Sequence, residues 1–90
     1  MIVLNSVTVP VGFKANQSVG TFTYYDYTLT ARTATNYILD ETASGVFGLS
    51  GSNLIILNAS TPVGFYPIKV TGVTEYFPYK DKAHFVIQVQ

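Results

Sequence analysis

Apolar side chains recur at every second position along this chain, and no window carries them at the i, i+3, i+4, i+7 spacing of a helix. From Phe65 to Thr74, Tyr66, Ile68 and Val70 fall on one side while Lys69 and Thr71 fall on the other. Towards the C-terminus, Phe85, Ile87 and Val89 alternate with His84, Val86, Gln88 and Gln90. Successive side chains of a strand point to opposite faces, so a period of two specifies sheets buried on one face. Thr, Val, Tyr, Phe and Ile prevail, and these residues suit a pleated, half-buried surface.

Turn signals cut this pattern into seven predicted strands. They are Ile2 to Val9, Val19 to Tyr27 with an extension to Thr30, Asn36 to Leu39, Val46 to Leu49, Asn53 to Leu57, Phe65 to Thr74 and Ala83 to Val89. Pro10 and Gly12 end or bulge the first, Asp40-Glu41 closes the third, and Ser50-Gly51-Ser52 turns the fourth into the fifth. Pro78-Tyr79-Lys80-Asp81-Lys82 forms the last turn, since Pro cannot donate to a ladder and three charges crowd a tip. Short strands at this spacing within 90 residues predict one domain over 1–90, a seven-stranded antiparallel immunoglobulin-like β-sandwich. With no Cys and no Trp, the Cys…Trp…Cys signature of antibody domains is missing, and neither a disulfide nor a zinc–thiolate site can form. Pro10-Val11-Gly12-Phe13 returns as Pro62-Val63-Gly64-Phe65, which reads as one turn-into-strand device used twice.

Charge narrows the function classes. Five Lys and Arg balance five Asp and Glu, and 48% of the residues are hydrophobic. Disorder requires the opposite composition. Binding a nucleic-acid backbone requires clustered cations, and here they are scattered, so no nucleic-acid partner is expected. The longest uncharged stretch, Thr42 to Ile68, is interrupted by Gly, Asn and Pro, which argues against a membrane span. Met1-Ile2-Val3-Leu4-Asn5 reads straight into a strand rather than as a signal peptide.

No catalytic residue, metal ligand or cofactor site is predicted. His84 is the sole histidine and falls on the polar side of the last strand, with Asp81 across a turn. Asp40 and Glu41 are adjacent, so on a strand they would point apart, and they read as a solvated turn. Asn16-Gln17-Ser18 and Asn58-Ala59-Ser60 match the glycosylation sequon, as chance allows in a chain rich in Ser and Thr. The aromatics carry more information. Tyr24, Tyr25 and Tyr27 share a strand and must occupy both of its faces, while Tyr76-Phe77-Pro78-Tyr79 places three rings at the last hairpin. Exposed tyrosine offers a large contact area at low entropic cost. Tyr25, Tyr76, Phe77, Tyr79 and Val86 are therefore the candidate interface, for protein or, alternatively, for stacking on sugar rings.

The order of landmarks resembles a cadherin-like domain. Ala15-Asn16-Gln17-Ser18-Val19-Gly20-Thr21 resembles that family's opening into its second strand. Phe47-Gly48-Leu49 followed by Gly51 and Asn53-Leu54-Ile55-Ile56 resembles its short hairpin, and Gly64-Phe65-Tyr66-Pro67-Ile68-Lys69-Val70 its sixth strand. The match runs from about Ala15 to Val89. It implies the sandwich fold without the family's calcium: Ala15 stands where an acidic residue is needed, and Thr71-Gly72-Val73-Thr74 lacks the Asp of the strand-end motif. A neutral Thr-, Ser-, Asn- and Tyr-rich surface is poorly protected against association. A chain of this size also resembles the small immunoglobulin-like proteins that decorate or cement phage capsids. That resemblance implies a non-catalytic virion structural protein, assembled in the host cytoplasm, whose partners are capsid subunits or further copies of itself as a homo-oligomer. Exposed edges of the last strand or of Ile2 to Val9 would supply pairing sites. The alternative is one repeat of a bacterial surface adhesin, extracellular, binding protein or carbohydrate.

Overall fold

A computed structural model describes residues 1–40 and 45–90. Among them there is no helix, and nine strands form two sheets: β1 (Ile2–Leu4), β2 (Thr8–Val9), β3 (Gln17–Tyr25), β4 (Ala31–Arg32), β5 (Asn36–Leu39), β6 (Phe47–Ser50), β7 (Asn53–Ile56), β8 (Gly64–Val73) and β9 (Lys80–Val89). One sheet runs β1-β3-β7-β6, with β4 pairing on β3, and the other runs β2-β9-β8-β5. The chain is elongated, 39 × 21 × 19 Å.

Two expectations are corrected: the strand count rises from seven to nine, and the pairing is not wholly antiparallel. The predicted strand Ile2 to Val9 breaks at Asn5-Ser6. Ile2, Val3 and Leu4 pair with Tyr24, Thr23 and Phe22. The Asn5 side chain then accepts the Thr21 N–H at 2.7 Å and ends that ladder. The chain crosses to the other sheet, where Thr8 and Val9 lie parallel to Gln88 and Val89. The crossing presses on Gly20, where an added Cβ would sit 2.7 Å from the Ser6 carbonyl oxygen and 2.8 Å from Asn5 Oδ1. The register of β3 against β7 shifts between Ser18 and Gly20, at the same place.

The extra strand β4 arises because β3 stops at Tyr25. The chain turns at Asp26 and folds back, pairing Arg32 with Tyr24 and Ala31 with Tyr25. At the other end of the sequence, Lys80, Asp81 and Lys82 belong to β9 and pair with Val73, Gly72 and Thr71, so the last turn is shorter than predicted. Charge does not break the strand, because Lys80 and Lys82 both point outward into solvent. The acidic pair divides: Asp40 donates its backbone N–H to the Lys69 carbonyl at 2.8 Å, and Glu41 lies outside the described residues.

Side chains from both sheets meet in one core. Ile2, Leu4, Phe22, Tyr24, Phe47, Leu54 and Ile56 come from one sheet, and Val9, Tyr37, Ile68, Val70, Ile87 and Val89 from the other. Rings lock the sheets together: Phe22 lies 5.3 Å from Tyr37 and 6.0 Å from Phe85, and Phe47 lies 6.1 Å from Tyr66. Each buried aliphatic side chain stabilises by about 1.5–3 kcal/mol relative to exposure. Gly72 makes room for the buried ring of Tyr24, whose Cδ2 would lie 2.9 Å from any added Cβ. This all-β, sandwich-like packing puts the 26–30 and 74–79 turns at one pole. The two Pro-Val-Gly-Phe copies lie at the other pole, with Val11 and Val63 both exposed.

Candidate interaction surface at the aromatic tip

The tip is built on Asp26. Tyr24 faces inward on β3, so the next side chain of that parity, Asp26, is carried inward too and ends 4% exposed. A buried carboxylate must be saturated, and this one is. Its Oδ1 accepts the Thr28 hydroxyl at 2.6 Å, the Thr28 N–H at 2.8 Å and the Thr30 N–H at 3.1 Å. Arg32 Nε donates to Oδ2 at 2.8 Å. These hydrogen bonds, the Thr28 hydroxyl and Arg32 foremost, outweigh burial and hold the Asp26 carboxyl well below the usual carboxylate range. Arg32 is raised in turn, chiefly by its bond to Asp26.

Arg32 carries the anchor across to the second turn. Its guanidinium carbon lies 4.0 Å from the centre of the Tyr76 ring, a cation–π contact. The turns are also joined by a backbone bond, Tyr27 N–H to the Phe77 carbonyl at 3.3 Å. Inside the second turn, the Tyr79 N–H reaches the Tyr76 carbonyl at 2.6 Å, and the Thr74 N–H reaches the Tyr79 carbonyl at 2.8 Å. On this frame three rings pack edge to face: Tyr27 and Phe77 at 5.4 Å, Phe77 and Tyr79 at 5.8 Å. Such geometry suits the aromatic quadrupole. Tyr27, Leu29, Tyr76, Phe77 and Tyr79 nonetheless remain exposed, Tyr27 at 71%.

Leu29 and Tyr79 have φ of 61° and 73°. Left-handed backbone is costly for side chains of this size and collects where a site holds the chain in one shape. At the tip, both strained residues present large apolar groups to solvent.

Of the predicted interface residues, Tyr76, Phe77 and Tyr79 are brought together here. Tyr25 faces outward on β3, half-buried, because Tyr24 takes the core. Val86 is not at the tip: it lies opposite Pro67 on the outer face of β9, about 20 Å along the strand from Lys80. His84 is exposed on that same face. Ile2 to Val9 supplies edges of both sheets, as β1 and β2, and β9 is paired by β8 along its whole length but by β2 only at Gln88 and Val89. Tyr27, Leu29, Asp26 and Arg32 join the site without having been expected there. The signal for them is a charged side chain at an inward parity, followed by Thr28, Thr30 and Arg32 at alternate positions.

Asp81, beneath the tip, is bonded by the amino group of Met1 at 2.9 Å and by the Lys82 N–H at 2.9 Å. Burial raises its carboxyl, but those bonds prevail and its net shift is downward. The neighbouring Tyr24 hydroxyl is buried with no hydrogen-bond partner among the described residues, and burial, then the Asp81 charge, push its pKa up. Among the described residues no three His, Asp or Glu side chains converge. No family model and no curated protein matches this chain.

Proposed function

We propose that the chain is an immunoglobulin-like, cadherin-like building block that works by protein–protein contact, as a decoration or cement protein on a virion shell. The observation that carries this is the aromatic tip, where exposed rings stand on two turns tied together by Asp26, Arg32 and the Tyr27–Phe77 backbone bond. A surface already ordered loses little conformational freedom on docking, and tyrosine and arginine dominate binding energy at interfaces. The strand order β1-β3-β7-β6 facing β2-β9-β8-β5, with the first strand shared between sheets, supports the immunoglobulin-like assignment.

The test is mass spectrometry of purified virions from the source that carries the reading frame. Recovery of the chain, abolished by Phe77→Ser with Tyr79→Ser, is the expected result. Absence from virions overturns the shell assignment. One observation favours a second reading, a repeat of a surface adhesin. Met1 lies at the tip beside Tyr25 and Asp81, while Gln90 pairs with Val9 at the other pole, and tandem repeats strung end to end need their termini placed this way. Flanking copies of the same domain in the reading frame would select it.

A further inference from the structure

The outer face of the β8–β9 pair is segregated along its length, while on the neighbouring β5 the exposed Ile38 stands beside Thr71. Outward on β9 stand Lys80, Lys82, His84, Val86 and Gln88; outward on β8 stand Val73, Thr71, Lys69, Pro67 and Phe65. The half nearer the tip therefore carries Lys80, Lys82 and Lys69, three of the five basic residues, with His84 directly opposite Lys69. The far half carries Phe65 at 71% exposure and Val86 at 54%, with Pro67 between them. Lys69 has Asp40 at 3.8 Å, and no ion pair among the described residues engages Lys80 or Lys82.

From this segregation we infer a second docking site, for an extended acidic segment of a partner protein that ends in an apolar anchor. Outward side chains of one strand repeat at about 6.8 Å, the spacing of alternate carboxylates in an extended segment laid along it. Phe65 and Val86 then take the apolar residues. A second copy of this chain offers few unengaged acids among its described residues. Asp26 is buried under Arg32, Asp81 pairs with the amino terminus and Asp40 sits beside Lys69, which leaves Glu75 as the free acid among the described residues. A nucleic-acid backbone would match the lysines and leave the apolar half uncovered. The tip aromatics are not on this face, so this site is independent of the proposed function and either can fail alone.

The test is titration of the ¹⁵N-labelled chain with a short synthetic peptide of alternating Glu and Thr that ends in Leu-Phe, followed by amide shifts. Shifts confined to β8 and β9, with affinity falling as salt is added, are expected. Lys80→Glu with Lys82→Glu should weaken binding on the order of tenfold, since exposed charges act mainly through steering and screened attraction. Phe65→Ser should weaken it at unchanged salt dependence. Both variants alter exposed side chains, and a dispersed amide spectrum verifies that they fold. Phe77→Ser with Tyr79→Ser should leave peptide affinity unchanged. No binding, shifts at the tip, insensitivity to the lysine reversals, or equal binding of a single-stranded oligothymidylate would each overturn the inference.

Discussion

At opposite poles of the molecule, Asp26-Tyr27-Thr28 and Asn58-Ala59-Ser60 make the same kind of turn. In both, Oδ1 accepts the backbone N–H and the hydroxyl two residues on, at 2.8 and 2.6 Å for Asp26 and at 3.3 and 3.0 Å for Asn58. Among the described residues the Asn58 turn stays local and exposed, adding Thr61, whose hydroxyl and N–H reach the Asn58 carbonyl at 2.7 and 3.2 Å. The Asp26 turn is buried and charged, and through Arg32 it reaches Tyr76 on the far side of the sequence. A local hydrogen-bonding habit becomes a tertiary anchor once its acceptor carries a charge that must be paired.

The largest effect is expected at that anchor. Asp26→Ala removes the acceptor of four bonds, so it should lower Tm further than any other single change at either turn and broaden the near-ultraviolet signal of the tip rings. Asp26→Asn should fall between that variant and the parent. An equal, small loss for Asp26→Ala and Asn58→Ala in thermal melts would break the comparison.

Acid separates the two turns next. The folded-state pKa of Asp26 is depressed, so its contribution is complete above about pH 5, where the unfolded carboxyl is ionised, and is lost as pH falls towards the folded value. Urea titrations at descending pH should show this slope, reduced in Asp26→Asn, with Asp81 supplying the remainder because it is lowered as well. Asn58→Ala should leave the slope as it is.

Beneath the tip, Tyr24→Phe deletes a buried hydroxyl with no partner among the described residues, and stability should rise by about 1 kcal/mol in chemical denaturation. It should also remove an alkaline loss. The Tyr24 pKa is raised in the fold, so its contribution is present below the ordinary tyrosine value and fades as pH climbs through the raised one. The smallest effects belong to the exposed pole. Asn58→Ala should cost about 0.5 kcal/mol. Asn58→Asp, on an exposed turn, should stay within about 0.5 kcal/mol of the parent.

Part of this architecture is legible in the amino-acid order. Alternation places Ile68, Val70, Ile87 and Val89 in the core, and puts His84 and Val86 on an outer face, because a strand's parity is local. The break in the first strand is not legible this way, because Val3 and Val7 are apolar too and only the fold shows the inward residues passing from Ile2 and Leu4 to Val9. The aromatic hairpin is visible as composition. Its partners are not, since nothing near Tyr76 in the sequence names Arg32 or Tyr27. Asp26 escapes notice because a charge next to a strand ordinarily signals solvent.

By itself the sequence determined an all-β chain, the faces its strands bury and the low charge of what remains outside. Each of these follows from the period of neighbouring side chains and from hydropathy, which need no knowledge of the partner strand. Only the tertiary structure decided that β1 and β2 serve different sheets, that Gly20 must stay bare beneath their crossing, and that an aspartate, an arginine and a tyrosine from distant segments fasten one aromatic tip. Those are close approaches between segments far apart in the chain, and period-two patterning is the same whichever segments meet.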